Sequence, residues 1–252
     1  MTSTATLSPL SVAARVAVTI DGLFATIDAW RDLLQAHLEA ASTPTAATLD
    51  PIVEAFAMPA LADDGLITGA GFVAAPGLLS DAQWHLAWWL AGTRGIRRLA
   101  AIDDPSSEQF RDYTSLEWWR LPARTGVRHV TGPYVDYVCT DDYTVTITTP
   151  VAVGGRLLGV VGTDVLVDRL ERELLPLLRA SGEPIAIVNG LGRVVTATDS
   201  RLAPGSMLRL DGLTEALEPL RAAEPARVEA RLASGADVLA CGDTSLALVV
   251  GP

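Results

Sequence analysis

Two runs of alternating residues, Asp142 to Val151 (DYTVTITTPV) and Arg156 to Val165 (RLLGVVGTDV), flank a Gly154-Gly155 pair. Successive side chains of a strand point to opposite faces, and both runs are rich in β-branched residues. Paired glycines supply the positive φ angles that a tight two-residue hairpin requires. The segment therefore commits the chain to an antiparallel sheet. An acid, Asp164, ends the apolar part of the second run, and a carboxyl group buried there needs a partner.

Upstream, the periodicity is helical. Ser8 is placed to cap a helix with Pro9 at its first position, and Val12, Val16, Ile20, Leu23, Ile27, Trp30, Leu34 and Leu38 follow at three- and four-residue steps. The spacing predicts a helix from about Ser8 to Ala41 and a second from Leu49 to Leu61. The period then shortens. Strands are expected over Ile67–Ala74 and Arg97–Ile102, with Trp84–Leu90 readable as strand or short helix. A helix from Phe110 to Trp119 should stop at Pro122, and an amphipathic one over Asp168–Leu178 is interrupted by Pro176. Beyond Glu183 a smaller unit repeats the pattern: strands over Ile185–Val188 and Arg193–Ala197, a helix over Leu213–Leu220, a hairpin of Arg227–Leu232 with Asp237–Cys241, and a last strand over Ser245–Val250. The expected division is 1–45 as a long helix, 46–180 as a larger module and 181–252 as a smaller one.

Composition excludes several function classes. The 252 residues carry 30 acids against 19 Lys and Arg, a net charge of −11, which opposes binding to nucleic acid or to an anionic membrane. Cys139 and Cys241 form no metal or redox spacing, and His37, His85 and His129 are scattered, so neither a metal site nor a cofactor is expected. No G-x-S-x-G, phosphate loop or dinucleotide fingerprint is present, and no catalytic residues are assigned. The N-terminus is a poor signal peptide, and no run of about 20 consecutive apolar residues is seen, so a cytoplasmic protein is expected.

Between Tyr113 and Asp168 several short motifs follow in order: Leu116-Glu117-Trp118-Trp119, Pro133-Tyr134-Val135-Asp136, Thr146 to Val151, and Gly159-Val160-Val161-Gly162-Thr163-Asp164. Together with the stretch IVNGLGRVVTATDSRL (Ile187 to Leu202), their order resembles the double Cache, or PDC-like, sensor domains. The fold this resemblance implies is α/β (α+β), a long N-terminal helix followed by two PAS-like modules with antiparallel sheets. In the amino-acid-binding branch of that family an R-x-W-Y arginine holds the ligand carboxylate, aromatic residues frame the ligand, and acids hold its ammonium group. Carried over, the resemblance implies a ligand site of Trp118, Trp119, Tyr134, Asp136 and Asp164, with Tyr113 nearby. Leu116 stands where the arginine would be, and Arg111, Arg120 and Arg124 are the candidates to replace it. Acids and aromatic faces without that arginine suit a cationic amine, through charge-assisted hydrogen bonds and cation–π attraction.

Several of these residues also have a plainer reading, though Asp164, an acid at the end of an apolar run, is harder to dismiss. Adjacent tryptophans on a helix point in different directions, so at least one of Trp118 and Trp119 is expected in the core. Tyr134 could be an edge-strand tyrosine and Asp136 a turn acid. The function expected is a non-catalytic small-molecule sensor for an amine or amino acid. A homodimer through the first helix and an output partner such as a transcription regulator or transporter complete that reading. The alternatives are an interaction module with a vestigial pocket, and a hydrolase or lyase using Asp136 and Asp164 as acid and base.

Overall fold

A computed structural model describes residues 6–100, 102–136, 142–222 and 228–251, so the readings placed on Cys139 and Arg227 lie outside the described residues. The first helix, α1, spans Pro9–Ala40, and Ser8 accepts a hydrogen bond from the Ser11 amide as its cap. All eight apolar positions of the sequence stripe are buried along it. Helix α2 covers Ala46–Ala62 and opens with a reciprocal Thr45–Thr48 capping box.

The first sheet contains β1 (Ile67–Ala74), β2 (Leu86–Gly92), β3 (Gly95–Arg98), β4 (His129–Val135), β5 (Tyr143–Val153) and β6 (Arg156–Leu166), in the order β3-β2-β1-β6-β5-β4. Every neighbouring pair in it is antiparallel. Gly154 and Gly155 take φ of 58° and 81° at the β5–β6 turn, the conformation the hairpin demands. Trp84–Leu90 thus resolves as a strand from Leu86, and the third strand ends at Arg98, short of the expected Ile102.

Parity within the strands separates two environments. Ala70, Phe72, Ala87, Trp89, Val145, Ile147, Val161 and Val165 pack under α1 and α2. The alternate residues Val73, Trp88, Leu90 and Val160 face the other way, toward Tyr113 and Trp119. That second face is covered by a 3-10 turn at Tyr113–Ser115 and by α3 (Glu117–Thr125).

Pro122 does not stop α3, contrary to expectation. A proline inside a helix leaves the carbonyl four residues earlier without its N–H partner. Here that carbonyl belongs to Trp118, and the Thr148 hydroxyl on β5 donates to it at 2.8 Å. Likewise α4 (Val167–Arg179) runs through Pro176.

The second sheet holds β7 (Ile185–Asn189), β8 (Val194–Ala197), β9 (Glu229–Arg231), β10 (Asp237–Ala240) and β11 (Leu246–Val250), ordered β8-β7-β11-β10-β9. With β3 set aside, the first sheet has the same order: second strand, first, fifth, fourth, third. The expected helix over Leu213–Leu220 is split into α5 (Leu213–Ala216) and α6 (Glu218–Arg221), because Pro219 has no amide to continue the ladder. The expected architecture, a long helix and two antiparallel-sheet modules, is present. Asn189 joins the two: its side-chain Nδ2 donates to the carbonyl of Gly132 at 2.8 Å, and it is buried.

Candidate functional site

Asp164 lies on β6, directly opposite Thr146 of β5 and Gly69 of β1. Thr146 Oγ1 donates to Asp164 Oδ1 at 2.7 Å, and Trp88 Nε1 donates to Oδ2 at 3.0 Å. With its proton used on Asp164, the Thr146 hydroxyl accepts from Tyr134 Oη at 2.7 Å, giving a directed chain Tyr134→Thr146→Asp164. Gly69 makes this possible. A Cβ there would sit 2.6 Å from Asp164 Oδ2 and 2.9 Å from Trp88 Nε1, so any side chain would displace the pair.

Burial pushes the Asp164 carboxyl up to about 7, the nearby Asp136 adds to the rise, and the hydroxyl of Thr146 and the indole N–H of Trp88 oppose it. Asp136, also buried, shares a cavity of about 30 Å³ with Val73, Leu86, Trp88, Trp118, Tyr134, Thr146 and Asp164. That volume suits a water or an ammonium group, not a whole metabolite.

A larger cavity of about 250 Å³ adjoins it, and Leu86 and Trp118 belong to the walls of both. Its other lining includes Trp84, His85, Asp103, Gln109, Arg111, Tyr113 and Leu116. Tyr113 is held edge-on against Trp84 and beside Trp119, with ring centroids 5.2 and 5.3 Å away. Its hydroxyl donates to the Ala74 carbonyl at 2.8 Å, and burial pushes it up to about 12. It is thus a wall fixed in position, with no proton to exchange near neutral pH. Arg111 is exposed at the cavity rim, where its Nη1 donates to the carbonyls of Glu108 and Phe110, both at 3.0 Å.

Five of the six expected site residues therefore line these two cavities: Trp118, Tyr134, Asp136 and Asp164 the smaller, Trp118 and Tyr113 the larger. Trp119 does not. It is 4% exposed and packs against Tyr113, as the core member of the tryptophan pair. Of the candidate arginines, only Arg111 reaches a cavity beside the acids, while Arg120 and Arg124 lie on a separate groove. Sequence reasoning missed Trp88, Thr146 and Gly69 as parts of the site. Strand parity, once Trp84–Leu90 is a strand, sorts Trp88 to the acid side and Trp89 to the core.

Residues 97–172 match the model of the family described as "Methyl-accepting chemotaxis protein-like, first PDC sensor domain". Among solved structures, one described as methyl-accepting chemotaxis protein X aligns with TM-score 0.64 and 18% identity, covering 95% of this chain and 92% of that one. The ligand-binding domain of the Pseudomonas fluorescens chemoreceptor CtaA, in complex with L-serine, aligns with TM-score 0.54 and 16% identity over 95% and 91% of the two chains. The extracellular domain of a protein described as a histidine kinase, mmHK1S-Z2, aligns with TM-score 0.60 and 16% identity over 94% and 92%. Among curated proteins, none matches the chain in sequence. The chain has the PDC, or Cache, sensor-domain fold, as its motifs led us to expect.

These relationships overturn the expected cytoplasmic location. The similar domains include ones described as extracellular, and helix α1 is long and apolar enough by length and composition to cross a membrane. Arg15 and Asp21 are the only charged residues from Pro9 to Ala25, so scattered polar residues interrupt the apolar run without making it hydrophilic. The same helix meets the sheet with one face, where Val12, Val16, Ile20 and Ile27 are buried.

Proposed function

We propose that the chain is an extracytoplasmic, non-catalytic sensor domain whose ligand carries a protonated amine, held against Asp136 and Asp164. The observation that carries this reading is Asp164, a fully buried carboxyl group whose two hydrogen-bond donors, Trp88 and Thr146, are both neutral. An ammonium group supplies the positive charge that makes ionisation favourable there, and the faces of Trp88, Trp118 and Tyr134 add cation–π attraction. The remainder of the ligand occupies the larger cavity, which shares Leu86 and Trp118 with the smaller one. Leu116, in the wall of that cavity, offers an apolar surface where a carboxylate-binding arginine would otherwise stand.

A second reading has its own support. Arg111 on the rim of the larger cavity could hold a carboxylate, which would make the ligand an α-amino acid. A thermal-shift panel of amines, amino acids and short carboxylates, followed by calorimetry, separates the two. A response confined to amines supports the first. A response to zwitterions that Arg111→Gln abolishes supports the second. Wild-type affinity in both Asp136→Asn and Asp164→Asn would mean that the site lies elsewhere.

We further propose that the chain works as a homodimer through α1. Leu10, Val18 and Leu33 are 64%, 72% and 56% exposed, and the exposed Ala14, Ala25 and Ala29 complete one stripe with them. Such a stripe, opposite the face buried on the sheet, suits pairing with its own copy. Val18→Glu with Leu33→Glu should leave a folded monomer by light scattering. An unchanged mass for a dimeric parent would remove this interface.

A further inference from the structure

We propose that the groove between the two modules is a second ligand site, for a small dianion such as a phosphate or a short dicarboxylate. The groove encloses about 210 Å³ between α3 and β4 on one side and the Asn189-Gly190-Leu191 turn, α6 and Ser245 on the other. Its lining carries three arginines, Arg120, Arg124 and Arg221, against one acid, Glu117. In a chain with net charge −11 such a concentration of positive charge is contrary to the average.

The one acid is already engaged. Glu117 Oε1 faces His129 Nε2 at 3.1 Å, and His129 Nδ1 faces the Ser245 hydroxyl at 3.2 Å. Arg221 is fixed in place: Nη1 donates to the Gly190 carbonyl at 3.0 Å, Nη2 donates to that of Thr214 at 2.9 Å, and Glu218 pairs with it. Gly190 lets α6 approach this closely, since a Cβ there would lie 3.3 Å from Arg221 Cγ.

Arg120 and Arg124 are different. They stand four residues apart on α3, hence on one face, and neither pairs with an acid among the described residues. Like charges at that spacing destabilise a helix, so the pair weakens α3 unless something negative lies between them. Two planar guanidinium forks facing a partly enclosed space match the oxygens of phosphate or carboxylate. Occupancy would brace α3 against the second module, on the side of the helix away from Trp118.

The test is calorimetry on the full chain at constant ionic strength, titrating inorganic phosphate and succinate, with chloride as the reference. The expected result is saturable heat with at least one probe, weakened about tenfold or more in Arg120→Gln/Arg124→Gln. Both arginines are exposed, so this variant should keep the parent's circular dichroism. Asp136→Asn should leave anion binding intact, which keeps the result independent of the amine site. Heat with phosphate alone identifies a phosphate site, heat with succinate alone a dicarboxylate site, and heat with both the shared dianion chemistry. No saturable heat with either probe, or undiminished binding by the double variant, would overturn the proposal.

Discussion

Asp164 sits where a carboxyl group is hardest to ionise, and its folded-state pKa of about 7 lies above the 3.8 of an unfolded aspartate. A raised carboxyl pKa means that the folded state binds more protons between those two values. Its contribution to stability is therefore complete below about pH 4 and is lost as pH rises through 7. Asp164→Asn removes that dependence. The stability of the variant relative to the parent should increase between about pH 4 and pH 7, by at most about 1.4 kcal/mol per pH unit, in urea titrations at several pH values. A parallel pair of pH profiles would contradict the assignment. The same proton opposes the proposed amine. Amine affinity in the parent should fall as pH drops below about 7, because the ammonium must displace a proton from Asp164.

The residue scale is also where the sequence was most and least informative. Tyr134, Asp136 and Asp164 were singled out by the order of the motifs that carry the family resemblance; taken alone, Tyr134 and Asp136 read as an edge-strand tyrosine and a turn acid. Trp88 was not singled out. It reaches Asp164 across an intervening strand, β1, and only the strand order β2-β1-β6 reveals that proximity. Gly69 was invisible for a related reason: its role is to leave room for a contact between two other residues.

At the scale of elements, periodicity served the helices and strands well, and proline misled. Pro122 read as a stop and Pro176 as an interruption, yet α3 and α4 run through them. Proline forbids one hydrogen bond and leaves one carbonyl to be satisfied, and tertiary structure can supply the partner. For α3 the partner is Thr148, which is fully buried on β5. Thr148→Val keeps the shape and removes the donor. It should lower the unfolding free energy by about 1–3 kcal/mol in urea titrations, by leaving the Trp118 carbonyl without its partner. It should also weaken the proposed ligand binding, since Trp118 rides on that turn. An unchanged denaturation midpoint would mean that the carbonyl finds another partner.

For the molecule as a whole, the two sheets repeat one strand order, yet they differ in what they hold. The first carries the buried acids and adjoining cavities, while the second has an apolar core that includes Ala186, Val188, Val238 and Val249. Their junction includes Asn189, whose side-chain oxygen accepts from the amides of Leu191 and Arg193 while its Nδ2 reaches Gly132. Asn189→Ala cuts all three bonds. It should cost several kcal/mol, as a buried polar group whose partners are left unmet, and should broaden or split the calorimetric unfolding transition as the modules come apart. A single transition as sharp as the parent's would show that other contacts suffice.

The place where Asn189 takes hold has a mechanical consequence. Gly132 lies two residues before Tyr134, at the bulge where β4 departs from regular pairing with β5. Tyr134 begins the hydroxyl chain to Asp164, so any ligand that re-aims this tyrosine pulls on the bulge. One hydrogen bond farther along is the first turn of the second sheet. The two modules are thus tied together by a buried hydrogen bond two residues from Tyr134, a wall of the proposed ligand site.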